Sequence, residues 1–407
     1  YTLNISGTAL SSGGNSIPTS SQHFASNTFA YGGGEQQLAS TPVSLSGVSV
    51  FPGGDLRGGW ATTTRLPSGF EQDGRMFAYK SRAYAIGGGD QSSPGGSSTV
   101  FYSQINGAGG LSAWSTTTPL PEKRWLPVVI NNENHVYVIG GWEDGFGHVS
   151  STIYTQINSS GTLGAWATTT PLFAHHGGSL GLVYNKKIYV IGGNVWDTGN
   201  TSTVSFVSIN PNGTLGAWQE TTPYPHQISD FHAKPFVHNG RIYVVGGILY
   251  DGGSDMIDTS YFANINPDGT LGSWQSAGNF PRPICCGRIV YGNGGVYYIG
   301  GSTDWVILEP GAWTDTVYFS KIGSDGRFSG WAQLSRSGQY TGKAGYFVWN
   351  GTLYVPGGMD DYLYETVTST RYIRLDSNST HWGLSVPDGS AIGTYSGVNT
   401  ITAVYSP

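Results

Sequence analysis

The chain has 407 residues, of which 63 are glycine, 13% are aromatic and only 11% are charged, with a formal net charge of −6. The aromatic content argues against disorder, and the glycine, threonine, tyrosine and valine content argues against a long helical protein. There is no apolar run of 18 residues to cross a membrane as a helix, and no basic stripe to hold nucleic acid.

At the start of the chain, Tyr1, Leu3 and Ile5 alternate with Thr2, Asn4 and Ser6. That period of two predicts a half-buried strand within a terminal segment 1–14. A repeat follows. A diglycine closing a β run recurs at Gly32, Gly87, Gly140, Gly192, Gly246, Gly300 and Gly357, 52 to 57 residues apart. Five copies read Tyr-x-Ile/Val-Gly-Gly, the sixth is Tyr354-Val-Pro-Gly-Gly, and the first is weakened to Phe29-Ala-Tyr-Gly-Gly. A tryptophan follows each diglycine: Trp60, Trp114, Trp166, Trp218, Trp274, Trp331 and Trp382. Most stand after a turn such as Asn266-Pro267-Asp268-Gly269, where Pro presets φ and Gly accepts a positive one. A Thr-Thr-x-Leu-Pro string or a variant of it comes after the tryptophan.

One unit reads as four short strands, for example near 229–238, 241–246, 258–266 and around Trp274. Four antiparallel strands every ~50 residues predict the blades of a β-propeller. The repeat spans 15–387 as a single domain, and 388–407 adds a β run at Thr400–Tyr405. Two readings of the ends stay open. They complete the first and last blades, or one of them adds to a blade edge of a neighbouring subunit, with Tyr1, Leu3 and Ile5 as the intersubunit strand.

The spaced diglycine, tyrosine and tryptophan resemble the Kelch repeat. The resemblance implies an all-β Kelch-like propeller with four antiparallel strands per blade, and seven copies imply seven blades. It implies no single function, because the family includes oxidases, sugar-processing enzymes and binding scaffolds. A copper radical oxidase of this family needs a tyrosine cross-linked to cysteine. Here the only cysteines are the adjacent Cys285 and Cys286, in a strand setting that favours two buried thiols over a vicinal disulfide.

Strand alternation sends the b–c loops and the interblade connections to one face. Those loops are long and varied, and they carry the candidate binding residues Trp142, Asp144, Trp196, Asp197, Tyr250, Asp251, Trp305, Trp313, Asp360 and Tyr362. Trp125 joins them from an interblade connection, beside Arg124, His175 and His176. Tryptophan and tyrosine beside carboxylates suit sugar rings, a protein interface, or loops that simply cap the propeller. No nucleophile elbow, P-loop, dinucleotide fingerprint or convergent metal-ligand spacing stands out, so no catalytic residue, cofactor or metal is expected.

The first residue is Tyr1 rather than Met, and lysine is scarce, which predicts a secreted chain after signal-peptide removal. Asn4, Asn158, Asn200, Asn212, Asn350 and Asn378 begin Asn-x-Ser/Thr sequons that permit glycosylation. These features predict an extracellular, non-enzymatic structural or interaction protein. Its expected partners are copies of itself in a filament or surface layer, or other surface proteins. The alternative is a glycan-binding propeller, with a sugar-processing enzyme of the Kelch type as a more distant reading.

Overall fold

A computed structural model describes residues 60–375 apart from 68–73, 89–95, 144–146, 196–198, 230–233, 250–254, 293–294, 304–312, 335, 338–344 and 358–367. It also describes the backbone of the strands Thr2–Gly7, Leu10–Ser12, Asn15–Ile17 and Asn399–Val404. Every regular element among these residues is a β-strand, and no helix is long and apolar enough to cross a membrane.

The chain divides into two compact units: Leu56–Asp376, and Tyr1–Asp55 together with Ser377–Pro407. The larger unit is narrower than the 15–387 span of the repeat. It holds six four-stranded antiparallel sheets. Blade 1 comprises Arg75–Tyr79, Arg82–Ile86, Val100–Gln104 and Ser115–Thr117. Blade 2 comprises Val128–Asn132, His135–Ile139, Thr152–Gln156 and Ala167–Thr169, and blade 3 Leu180–Tyr184, Lys187–Ile191, Val204–Ser208 and Gln219–Thr221. Blade 4 comprises Lys234–His238, Arg241–Leu249, Asp255–Asn264 and Gln275–Asn279, and blade 5 Arg288–Gly292, Gly295–Ile299, Val317–Lys321 and Ala332–Gln333. Blade 6 takes three strands from one end of the unit, Phe347–Trp349, Thr352–Pro356 and Thr370–Arg374. Its outermost strand, Ala61–Thr63, comes from the other end.

The count of seven is therefore not confirmed. Among the described residues, one channel of about 410 Å³ is lined by the innermost strands of all six sheets. The first repeat copy explains the difference. Its diglycine at Gly32 lies outside the described residues, and the strand after its tryptophan, Trp60, completes the last sheet. Thr2–Gly7 does not enter a blade. It pairs antiparallel with Asn399–Val404 of the same chain, Leu3 opposite Ala403 and Ile5 opposite Ile401, in the smaller unit. Tyr1 lies outside the described residues.

Apolar clusters join each sheet to the next, including blade 6 to blade 1 through Tyr354, Phe347, Ala83, Ile105 and Leu111. The tyrosine of each second strand (Tyr84, Tyr137, Tyr189, Tyr243, Tyr297, Tyr354) is at most 1% exposed. Four of them reach into the next blade. Tyr84, Tyr137, Tyr189 and Tyr354 donate their hydroxyls at 2.8–2.9 Å to the carbonyls of Gly161, Gly213, Gly269 and Gly109 in the neighbouring c–d turn. The Thr-Thr pair that follows each tryptophan grips the next blade as well. Thr117 Oγ1 accepts from Leu163 N–H while Thr118 Oγ1 donates to Leu163 O, and Thr169 and Thr170 hold Leu215 in the same way. Thr221 and Thr222 repeat this on Leu271, and Thr63 and Thr64 on Leu111. One face is thus committed to fastening blade to blade.

The diglycine has a matching role on the opposite face. Its first glycine sits at φ between +57° and +72° in all six blades. At Gly140 a Cβ would stand 2.5 Å from the carbonyl oxygen of His176, in the lead-in to the next blade. Gly141 N–H donates to that same carbonyl at 2.7 Å. Gly140→Ala is expected to cost roughly 1–2 kcal/mol for the left-handed backbone alone, and more for the displaced carbonyl. A fall in the urea midpoint at unchanged slope is the readout, and an unshifted midpoint would refute this account of the diglycine.

Candidate functional site

The b–c loops do not repeat. Blade 2 extends its second strand into a hairpin, with Trp142 opposite His148 and Glu143 opposite Gly147. Trp125, in the lead-in to the same blade, bridges Trp142 through two backbone hydrogen bonds of 3.0 and 2.8 Å. The indoles stand edge to face with centroids 6.1 Å apart, and Trp142 meets the His148 ring edge to face at 5.0 Å. In blade 3 the corresponding hairpin, Asn194–Val195 with Gly199–Asn200, takes His176–Gly177 as a third strand. Gly177 is needed there, because a Cβ would lie 2.8 Å from His148 Nε2.

These elements enclose a pocket of about 340 Å³. Trp125, Trp142, His148, Asn194, Asn200 and Ser229 are its principal lining side chains, with Gly177 and Gly178 in the wall. Trp125 and Trp142 are half-buried, while His148 and Ser229 are buried. Asn194 donates through Nδ2 to Asn200 Oδ1 at 3.3 Å. Beside the pocket lies an ion pair, Arg124 Nη2 to Glu143 Oε1 at 2.6 Å, with Arg124 also donating to Ser151 Oγ at 2.7 Å. Arg124 is 4% exposed. Burial lowers its pKa, and the Glu143 carboxylate opposes that shift.

Burial also lowers the pKa of His148, with the nearby His175 acting in the same direction. His176 is lowered by burial against a backbone hydrogen bond at Gly192, and His135 and His238 are lowered by burial too. Each folded value lies below the unfolded value near 6.5, so the unfolded chain takes up protons first as pH falls. The stability these neutral imidazoles supply is complete above the unfolded pKa and is lost as pH falls through the folded values. The urea midpoint is expected to hold above about pH 7 and to drop between about pH 6.5 and 5, and His176→Gln should flatten that drop. A midpoint that rises over this interval would contradict the assignment.

Of the sequence candidates, Trp125 and Trp142 come together in this pocket. Trp313 does not belong to a binding surface. It is 4% exposed and packs with Ile248, Cys285 and Cys286. Asp144, Trp196, Asp197, Tyr250, Asp251, Trp305, Asp360 and Tyr362 lie outside the described residues. Cys285 and Cys286 are joined as a disulfide rather than standing as two thiols. The expectation of thiols assumed a strand, in which adjacent side chains point apart. Cys286 instead has φ +65°, which breaks that alternation.

Asn158, Asn212 and Asn350 are exposed, and all three stand at a–b or c–d turns. Asn200 is half-buried in the pocket wall, the side chain of Asn4 lies outside the described residues, and so does Asn378. The sequence pointed to neither His148, Asn194 nor Ser229, because small polar residues carry no signal in a chain this rich in them. Among the described residues no group of three or more His, Cys, Asp or Glu side chains could hold a metal ion.

No protein-family model matches the chain. It is similar to Kelch-like protein 26 of Danio rerio, 24% identical over 127 residues, which are 31% of this chain and 20% of that protein. It is similar to Kelch-like protein 40 of Xenopus laevis, 27% identical over 134 residues (33% and 20%), and to Kelch-like protein 41b of Danio rerio, 25% over 190 residues (47% and 29%). The chain thus spans between a fifth and three tenths of the length of these curated relatives. Among solved structures, that of YjhT aligns with a TM-score of 0.59 at 14% identity, covering 78% of this chain and 98% of that one. That likeness is one of propeller fold.

Proposed function

We propose that this chain, a Kelch-repeat β-propeller, is a non-enzymatic interaction module that engages a protein partner through the face of its b–c loops. The observation that carries this reading is the inequality of the two faces. One spends its polar groups on repeated interblade grips at Thr63–Thr64, Thr117–Thr118, Thr169–Thr170 and Thr221–Thr222. The other carries non-repeating hairpins with half-buried Trp125 and Trp142, and tryptophan is enriched where interfaces concentrate their binding energy.

The partner we favour is a second copy of the chain, in an assembly outside the cell. Among the described residues the sheet of Thr2–Gly7 and Asn399–Val404 has two strands, so each has an outer edge that can accept a strand from another copy. Low charge and the exposed Asn158, Asn212 and Asn350 sequons support an extracellular setting. Negative-stain electron microscopy and light scattering on the full chain at micromolar concentration test the self-assembly. Filaments or sheets that vanish when residues 1–14 are deleted would support it. Single discs of monomer mass would overturn it and leave a different protein as the partner.

A further inference from the structure

We propose that the pocket between blades 2 and 3 is a subsite for one uncharged pyranose ring. Three observations converge. The first is the aromatic wall. Trp125 and Trp142 are locked to each other by the backbone bridge, with indoles edge to face at 6.1 Å and half-buried, so part of each ring borders the pocket. A C–H face of a sugar ring packs on such a surface. The wall is rigid because Trp142 is held on one side by Trp125 and on the other by His148.

The second observation is the rim. The amides of Asn194 and Asn200, the hydroxyl of Ser229 and the imidazole of His148 line the same space. Burial and the neighbouring His175 lower the pKa of His148, which leaves it neutral at pH 7. Amides, hydroxyls and a neutral imidazole donate and accept, as sugar hydroxyls do. An apolar ring would meet these groups with nothing to offer them.

The third is charge. Among the described residues no ionised side chain lines the pocket, and the nearest cation, Arg124, is buried against Glu143 at 2.6 Å. A charged ligand would find no counter-ion. The volume, about 340 Å³, sits at the lower end of the range for small-molecule sites, which fits one ring and a substituent.

The test is a titration of the full chain, followed by calorimetry and tryptophan fluorescence. The probes are methyl glucoside, methyl galactoside, methyl mannoside and N-acetylglucosamine, with glucuronate and cyclohexanol as controls. At least one neutral glycoside is expected to bind with a dissociation constant of about 1 mM or below, and both controls at least tenfold more weakly. Trp142→Ala and Asn194→Ala should each weaken binding tenfold or more with the thermal transition retained. Trp142→Phe keeps an aromatic face and serves if the alanine variant fails to fold; it should retain part of the affinity. Repeating the titration with a free oligosaccharide and with a glycoprotein bearing it separates a soluble sugar from a protein-borne glycan, and saturable binding of either supports the site. No saturable signal from any neutral glycoside to roughly 50 mM would overturn the proposal. So would cyclohexanol binding as well as the sugars, or affinity indifferent to both Trp142→Ala and Asn194→Ala. Self-assembly is read without sugar present, so failure here leaves the interaction reading standing.

Discussion

Replacing Thr63 and Thr64 together by valine is expected to destabilise the propeller by about 2–4 kcal/mol and to open it at one junction. Thr63 Oγ1 accepts from Leu111 N–H at 2.7 Å, and Thr64 Oγ1 donates to Leu111 O at 2.5 Å. Leu111 is 5% exposed, so both of its backbone groups would be left buried without these partners. Such groups cost roughly 1–3 kcal/mol each. The same pair of substitutions at Thr169 and Thr170 removes equivalent bonds to Leu215, and a similar loss is expected there.

The two variants should differ in what comes loose. Ala61–Thr63 is held in blade 6 only by pairing with Thr370–Arg374, on a strand more than 300 residues away. Loosening it frees an end of the propeller, a local opening that an internal junction cannot make. Hydrogen exchange in Thr370–Arg374 should therefore accelerate in the Thr63/Thr64 variant and not in the Thr169/Thr170 variant. Equal protection of that strand in both would show that the ring does not close at this seam.

This seam marks the limit of what the repeat could reveal. The diglycine, the tyrosine and the turn before the tryptophan recur because each performs the same local task in every blade: a left-handed step, an interblade hydrogen bond, a tight reversal. Such tasks are readable from residue types at fixed spacing. Where the ring begins is not a local property. Seven diglycines suggested seven blades, although the copy with Trp60 lends only its last strand to the sheet built by the copy with Tyr354. Period carries no phase, so pairing between the two ends of Leu56–Asp376 was invisible. The Thr-Thr string was conspicuous, but its work on the next blade emerges only when blades stand side by side. In the pocket, Trp125 and Trp142 were found because tryptophan in a variable loop is a strong signal. Asn194, Ser229 and Glu143 were missed because each matters through a neighbour on another loop.

Glu143→Gln is expected to be the most damaging single change on the loop face. Arg124 is 4% exposed and its charge is balanced at 2.6 Å by Glu143, itself only 17% exposed at the side chain. Removing one member of a buried pair leaves the other charge uncompensated, at a typical cost of about 3–5 kcal/mol. The damage should be asymmetric. Arg124→Met with Glu143→Leu removes both charges and fills their space with apolar atoms, and such replacements are often neutral or stabilising. The double variant is therefore expected to be more stable than Glu143→Gln alone, giving a coupling energy of several kcal/mol in a double-mutant cycle. Additive losses would mean that the pair is solvated and that Arg124 packs through its stem alone. The cycle also separates stability from binding. Glu143 is adjacent to Trp142 in the hairpin opposite Gly147–His148, so the single variant should shift the tryptophan emission as the hairpin loosens. The double variant should restore the emission together with the fold. If it restores stability while the emission stays shifted, the ion pair acts chiefly on the pocket wall, by setting the angle at which Trp142 meets Trp125.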